Sequence, residues 1–383
     1  MTVSPEWCFD RKKELESLAK AGGPVHILID EALNEILFDL LCIETVEKIF
    51  YNISANQHPR ILEKVYRLGA GFKCVSSSDI ERLSSIFHGI TPDNLLFAPD
   101  LANQDDYEYA FKKGVTVMLD NIYPLKTWPH IFQKREVCLF IRMEREAGFG
   151  QALPFKNHSG QKGMPTSELK YAAKLLKDLN TTVKGLQIEA ECTGVSEGYL
   201  MEAASFLARS TVFFPDVSLF SLVIGTGFSD DSLSGATDIS VLGRELEAIK
   251  DAYPQSTLWV EPGASIFSRA GVVLTEVTHV VSSDGINYIR IDMDMETFIR
   301  QVLYGIHHDI LNLHRSSEGT GLTAHLIGTD SEIKGPICCE AQLGPVEKGD
   351  LLLITNTGIL PIHSKKPFHE HYLNARKMCP VPL

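Results

Sequence analysis

A pair of adjacent cysteines is one feature whose residue types suggest chemistry. Cys338 and Cys339 precede Glu340 in the segment GPICCEAQLGP. A cysteine nucleophile needs a neighbouring base or cation that lowers its pKa, and no histidine or lysine is adjacent to this pair. Buried packing is the more ordinary role of such thiols. We therefore expect the pair to be packing residues, with a reactive thiol as the alternative.

Histidines towards the carboxyl terminus raise the question of a metal site. They are His307, His308, His363, His369 and His371. Their spacing matches no closed zinc pattern, in which ligands recur in close pairs. We therefore predict no metal site, and we expect the last three to belong to a solvated tail.

The meaning of any of these residues depends on the elements that position them. Apolar runs of strand length recur along the chain, separated by segments whose apolar residues repeat at three and four, the period of an amphipathic helix. The runs are 48–53, 72–76, 94–98, 115–119, 137–143, 185–190, 219–224 and 257–261. This alternation predicts an α/β fold, an eight-stranded parallel (β/α)8 TIM barrel, with a doubly wound open sheet as the alternative.

The alternation of strand-like runs and helical segments ends at about residue 264. The segments GVVLTEVTHVV, INYIRI, TAHLIGT and DLLLITNT are rich in β-branched residues and separated by turns. They predict a carboxy-terminal all-β domain. We place the barrel at residues 24–264 and assign 1–23 and 265–383 to the β domain.

Composition excludes several classes of partner. The chain has 383 residues, 44% hydrophobic and 22% charged, with a net charge of −13. An acidic chain is unsuited to nucleic acid or an anionic membrane, which are bound through an excess of lysine and arginine. Eight cysteines lack framework spacing, and neither a signal-peptide pattern nor a membrane-length apolar run is visible. We therefore expect reduced thiols and a cytoplasmic location.

The segments at the predicted strand ends follow one another in a distinctive order. They include FYNISANQHPRIL, GAGFKCVSSSDIERL, GLQIEAECTG, LVIGTGF, LWVEPGASIF and GPICCEAQLGP. From about residue 25 to 376, this succession resembles the fold-type III pyridoxal-phosphate decarboxylases of the diaminopimelate and ornithine decarboxylase kind. The decarboxylase part of bifunctional aspartokinase–decarboxylases is the most similar form. The resemblance implies an alanine racemase-like barrel, a β domain, and a homodimer with active sites at the subunit interface.

The residue that would hold the cofactor departs from the family pattern. A pyridoxal enzyme binds its cofactor as an imine through a lysine amine. The resemblance places Ser54 at that position, and a hydroxyl cannot form an imine. The nearest lysines in the sequence are Lys48 and Lys64. No covalent pyridoxal phosphate is expected at this position.

Further functional positions of the family carry other residues here. The resemblance places Glu189 at the ring-stacking histidine, Cys192 at a phosphate-binding serine, Ala264 at a phosphate- and substrate-binding arginine, Cys339 at a substrate-binding glutamate and Leu360 at a phosphate-binding tyrosine. Losses at so many positions indicate a decayed or repurposed site rather than one altered residue.

Other family positions are retained. The resemblance assigns Glu261 to the pyridine nitrogen and Cys338 to catalysis across the dimer interface. The remaining candidates for cofactor or ligand binding are Asn56, Gly225, Gly227, Gly263, Arg300 and Tyr304. Structural roles compete with these assignments, since Glu261 could cap a turn and the glycines could serve any strand-to-helix turn.

Two functions remain open at this point. The first is a non-catalytic or repurposed scaffold that binds a protein partner or a small amino-acid-like ligand. The alternative is an enzyme of amino-acid metabolism that uses the barrel mouth with non-covalent pyridoxal phosphate or for a different reaction.

Overall fold

The computed structural model describes most of the chain in two units. The described residues are 6–20, 22–142, 163–190, 198–224, 239–263, 267–283, 286–294, 308–315, 322–329, 338–358 and 369–373. Among them, residues 37–224 and 239–263 form one unit, called here the barrel unit. Residues 6–36 and those from 267 onward form the other, called the β unit.

Eight parallel strands close the barrel unit. They are β2 (Lys48–Asn52), β3 (Gly71–Cys74), β4 (Leu95–Phe97), β5 (Thr116–Leu119), β6 (Glu136–Ile141), β7 (Thr182–Ala190), β8 (Leu219–Ile224) and β9 (Thr257–Glu261). Each strand pairs with the next, and β9 pairs with β2. The predicted barrel is confirmed, and the doubly wound open sheet is excluded.

One helix precedes the first barrel strand, and the others lie between successive barrel strands along the chain. They are α3 (Asp30–Leu41), α4 (Pro59–Arg67), α5 (Ser77–Ile86), α6 (Gln104–Lys113), α7 (Tyr123–Thr127), α8 (Pro129–Phe132), α9 (Thr166–Asp178), α10 (Tyr199–Ser210) and α11 (Ile239–Ala252). Two short helices, α1 (Glu6–Asp10) and α2 (Lys12–Ala19), begin the β unit. Within the described residues, none of the helices is long and apolar enough to cross a bilayer.

Side chains fill the barrel interior rather than leaving a pore, as this architecture requires. One buried cluster joins residues from six strands and the residue that follows β4: Phe50, Leu96, Ala98, Met118, Cys138, Phe140, Leu219 and Trp259. Gly71 makes room for it, because a Cβ atom there would lie 2.7 Å from the ring of Phe50. Burial also raises the pKa of the Cys138 thiol to about 12, so this cysteine stays protonated and acts as a packing residue.

The β unit contains a mixed eight-stranded sheet. Its strands are β1 (Val25–Ile29), β10 (Gly271–Ser283), β11 (Ile286–Asp294), β12 (Ile310–Asn312), β13 (Leu322–Thr329), β14 (Cys338–Leu343), β15 (Leu351–Ile354) and β16 (His369–Leu373). The main path runs β12-β15-β10-β11-β13-β14, while β1 pairs with β10 and β16. The predicted carboxy-terminal β domain is confirmed.

Two expectations differ from this sheet. The boundary predicted at residue 24 would put Val25–Ile29 in the barrel, but this strand pairs antiparallel with β10 and parallel with β16. A short apolar run followed by a helix has the same pattern in either setting, so the sequence did not distinguish them. His369 and His371 belong by their backbone to β16 rather than to a tail outside the sheet.

Asp350 organises the turn before β15. Its Oδ2 atom accepts hydrogen bonds from the Glu347 backbone N–H at 2.9 Å, the Asn312 amide at 2.9 Å and Arg315 Nε at 3.1 Å. Burial opposes ionisation of this carboxyl, but the backbone donor, the amide and the Arg315 cation together hold its pKa below the ordinary value. The charged form of Asp350 therefore stabilises the folded β unit.

We predict that Asp350→Ala lowers the free energy of unfolding by roughly 2–4 kcal/mol, because three donors, among them the buried Asn312 amide, lose their acceptor. A carboxyl with a depressed folded pKa stabilises the fold above its unfolded pKa and loses that contribution as pH falls through the folded pKa. The deficit of the variant should therefore be larger at about pH 7 than at about pH 3 in urea denaturation. The exposed Asp10 of the same unit provides the control Asp10→Asn. Equal deficits at both pH values would contradict the assignment.

Candidate functional site at the barrel mouth

A buried ion pair joins two strand ends of the barrel. Lys73 Nζ of β3 lies 2.6 Å from Glu261 Oε2 of β9, and only 13% of the lysine side chain and 2% of the glutamate side chain are exposed. Both strands flank β2, so side chains on their interior faces converge over it. The carboxyl ends of barrel strands are where this architecture places its chemistry.

Gln187 completes the surroundings of the carboxylate. Its Nε2 atom donates to Glu261 Oε1 and, at 2.9 Å, to Ser221 Oγ, and the side chain is fully buried. Reversing the amide would set two oxygens against each other, so the carboxylate fixes the orientation of Gln187. Both oxygens of Glu261 thus have donors. The Oε1 atom of Gln187 is a buried acceptor with no partner among the described residues.

The turn that follows β3 holds the end of the strand that carries Lys73. Ser76 caps α5 by accepting from the Asp79 backbone N–H at 3.2 Å. The Asp79 carboxylate accepts in return from the backbone N–H groups of Val75 and Ser76 at 3.0 and 3.1 Å. The sequence SSSD encodes this capping box. It holds the strand end only two residues beyond Lys73.

The turn after β2 contains Ser54 and is held by two asparagines. The Ser54 backbone N–H donates to Asn52 Oδ1 at 3.0 Å, and the His58 N–H donates to Asn56 Oδ1 at 2.9 Å. The Tyr51 hydroxyl donates to the carbonyl oxygen of Asn56 at 2.9 Å, and burial raises the pKa of that phenol. Ser54 is half-buried, and Asn56, a predicted ligand-binding residue, orders the entry into α4.

Only some of the other predicted site residues lie in the part of the chain that the structure describes. Gly263 follows β9 directly after Pro262, and Glu189 lies in β7 opposite Val223. Cys338 and Cys339 belong by their backbone to β14 of the β unit. Cys192, Gly225, Gly227, Ala264, Arg300, Tyr304 and Leu360 lie outside the described residues. No group of three or more potential metal ligands occurs in the part of the chain that the structure describes.

The sequence analysis did not identify Lys73 and Gln187, which contact Glu261, or Ser221, which contacts Gln187. Each is a polar residue inside an otherwise apolar strand run: FKC, GLQIEA or LFSLVI. A polar residue in a barrel strand with buried neighbours must either face the mouth or find a partner inside. That signal was available for each residue, although not the identity of its partner.

Comparison with known families identifies the barrel unit. The family model described as "Pyridoxal-dependent decarboxylase, pyridoxal binding domain" matches residues 39–268, more than half of the chain. The chain belongs to this family. The match covers all eight strands of the barrel.

Individual relatives of the pyridoxal-dependent decarboxylase family are distant. Diaminopimelate decarboxylase of Thermoplasma acidophilum is 23% identical over 81% of this chain and 76% of its own length. Antizyme inhibitor 2 of Xenopus laevis is 24% identical over 84% of this chain and 73% of its own length. The chain is therefore similar both to decarboxylases and to a protein named as an inhibitor.

Solved structures show the same fold. The arginine decarboxylase of Paramecium bursaria Chlorella virus, bound to agmatine, superposes with a TM-score of 0.78 at 17% identity, covering 94% of this chain and 100% of that one. Helicobacter pylori diaminopimelate decarboxylase, complexed with L-lysine, gives a TM-score of 0.76 at 18% identity, covering 94% of each chain.

We predict strong coupling between Lys73 and Glu261. Lys73→Met leaves a buried carboxylate without its cation and should lower the free energy of unfolding by roughly 3–5 kcal/mol. Adding Glu261→Gln should restore part of that loss, so a double-mutant cycle in urea should give a coupling of more than about 1 kcal/mol.

Lys48→Met is the matched control for this cycle. Lys48 also contacts the barrel, with its cation 5.2 Å from the Trp259 ring centroid, but it donates to the Asp93 carbonyl rather than to a carboxylate. Its removal should cost less than about 1 kcal/mol. Additive effects of Lys73→Met and Glu261→Gln would show that the ion pair contributes no specific interaction.

Proposed function

We propose that this chain is a repurposed member of the pyridoxal-dependent decarboxylase family that does not carry out pyridoxal-dependent decarboxylation. Its barrel mouth serves instead as a binding site for a small ligand or a protein partner. The observation that carries the proposal is the engagement of Glu261 by Lys73 and Gln187.

This engagement conflicts with the role that the resemblance gives Glu261. A carboxylate that pairs with the pyridine nitrogen of a cofactor must direct a lone pair at the ring N–H and balance the charge of the protonated ring. Here Lys73 supplies the positive charge that the protonated ring would supply, at 2.6 Å from Oε2, and Gln187 donates to Oε1. A second cation would have to displace a buried ion pair, at a cost in desolvation and lost Coulomb energy. The retention of Glu261 is therefore accounted for without the cofactor.

Ser54 supports the same proposal. It occupies the position that the resemblance gives to the cofactor lysine, and residues 49–63 contain no lysine. The residues present do not fit pyridoxal phosphate held in the family's manner. Cys192, Ala264 and Leu360 extend the mismatch to positions that the resemblance assigns to the phosphate.

The similarity to antizyme inhibitor 2 is consistent with a non-catalytic scaffold. That relative bears the name of an inhibitor rather than of an enzyme, and it aligns with 84% of this chain. The name of this relative thus refers to inhibition and not to a chemical reaction. For the present chain we propose a partner protein or a small amino-acid-like ligand.

We predict that restoring the lysine alone does not restore decarboxylation. Ser54→Lys supplies an amine, but substrate orientation and phosphate binding still lack their groups, and each lost charge-assisted contact is worth roughly 1.5–3 kcal/mol. The assay is carbon dioxide release from diaminopimelate, lysine, ornithine and arginine with added pyridoxal phosphate. The wild-type protein and Ser54→Ala are the controls. Turnover by the wild type or by Ser54→Lys on the order of 1 s⁻¹ or more would overturn the proposal.

We also propose a homodimer, as the resemblance implies. Closed symmetric dimers are the commonest assemblies of soluble chains. Light scattering coupled to size exclusion should therefore give twice the chain mass of 42.5 kDa over a range of loading concentrations. A mass that remains at the monomer value at every concentration would contradict the dimer.

A further inference from the structure

We propose that Lys73 is a reactive amine of the barrel mouth, which captures a small aldehyde or ketone as an imine with Glu261 transferring the proton. This inference rests on the proposed reassignment of the mouth. It specifies the chemical class of the ligand, a carbonyl compound. The amine lies at the end of β3, not in the turn after β2 where the resemblance places the family's lysine.

The position of Lys73 suits such a reaction. It lies at the carboxyl end of a barrel strand, where substrates of this architecture approach. Only 13% of the Lys73 side chain is exposed, so most of it is shielded from bulk water. Lysine is the residue that forms imines with carbonyl substrates, and shielding from water protects an imine from hydrolysis.

Glu261 lies at the distance that proton transfer requires. Its Oε2 atom is 2.6 Å from Lys73 Nζ, within the range of a general base in direct contact with the group it deprotonates. The donation from Gln187 to the other oxygen keeps the carboxylate directed towards the amine.

The reaction balances without any further reagent. The Lys73 ammonium gives one proton to Glu261, and the neutral nitrogen attacks the carbonyl carbon to form a carbinolamine. Glu261 then returns the proton to the carbinolamine hydroxyl, and water leaves as the C=N bond forms. An ammonium and a carbonyl compound have become an iminium ion and one water molecule.

Charge conservation at Glu261 is the main physical reason for the assignment. The iminium nitrogen keeps the single positive charge and one N–H that the ammonium offered to the carboxylate. The buried ion pair therefore survives the reaction, whereas a neutral product would leave Glu261 without a cation at considerable cost. The Oε1 atom of Gln187 has no partner among the described residues and belongs to the amide that donates to Glu261. This buried acceptor could receive a hydrogen bond from a hydroxyl or N–H of the ligand.

The experiment is reductive trapping on the full chain. The protein is incubated with limiting propanal, pyruvate or pyridoxal phosphate and with cyanoborohydride, and the modified lysines are located by peptide mass spectrometry over time. We expect Lys73 to be modified faster than Lys48. We expect Glu261→Gln to slow trapping at Lys73 by about a hundredfold, the low side of what acid–base catalysis contributes. Lys73→Arg keeps the cation but forms no such imine, so it should lose the adduct with its circular dichroism unchanged.

The outcomes separate this inference from the proposed function. Modification of Lys73 no faster than that of Lys48 with every carbonyl, or an unchanged rate in Glu261→Gln, overturns the inference even if no decarboxylation occurs. Selective trapping of propanal or pyruvate supports a small carbonyl ligand. Selective trapping of pyridoxal phosphate alone supports the amine and identifies pyridoxal as the carbonyl source. Carbon dioxide release, measured separately, bears on the proposed function and not on the identity of the amine.

Discussion

A buried carboxylate needs a cation, and this requirement dominates the barrel mouth. Glu261 is almost fully buried at the end of β9, where an unpaired charge would be strongly unfavourable. Lys73 meets the requirement from β3, and Gln187 orients the second oxygen. The contact depends on the barrel as a whole, because the two residues are 188 positions apart in the chain. Closure of the sheet brings them together, and the capping box after β3 holds the lysine end.

The sequence predicted the elements of the barrel better than the contacts inside it. Each apolar run coincides with a strand because a parallel strand covered by helices must be apolar along most of its length. Strand β1 was assigned to the wrong unit, since the same apolar pattern serves a barrel strand and a sheet strand equally well. Its partners, β10 and β16, lie hundreds of residues away, and pairing over such distances leaves no local trace in the sequence.

Within the site, the sequence identified the acid but not its partner. Glu261 was identified through a motif whose residues are neighbours in the chain. Lys73 lies in the segment GAGFKCVSSSDIERL, to which the resemblance assigned no functional residue. Its partner lies on β9, two strands away around the barrel. A search for polar residues inside apolar strand runs would have found Lys73. Choosing Glu261 as its partner, rather than Glu189 or Asp120 at other strand ends, requires the closed barrel and its register.

Once Lys73 is in place, the presence of Glu261 says little about a cofactor. The carboxylate and the ammonium stabilise each other, so replacing either alone is costly whatever the function of the site. The pair thus makes one demand on any chemistry at the mouth: whenever Glu261 is ionised, a single positive charge with an N–H must lie beside it. A pyridinium could satisfy that demand only by displacing the lysine, whereas an ammonium or an iminium on the lysine satisfies it in place. The strand ends of the barrel can carry many different side chains. In the proposed reaction, the charge balance of the Lys73–Glu261 pair determines which side chain can react.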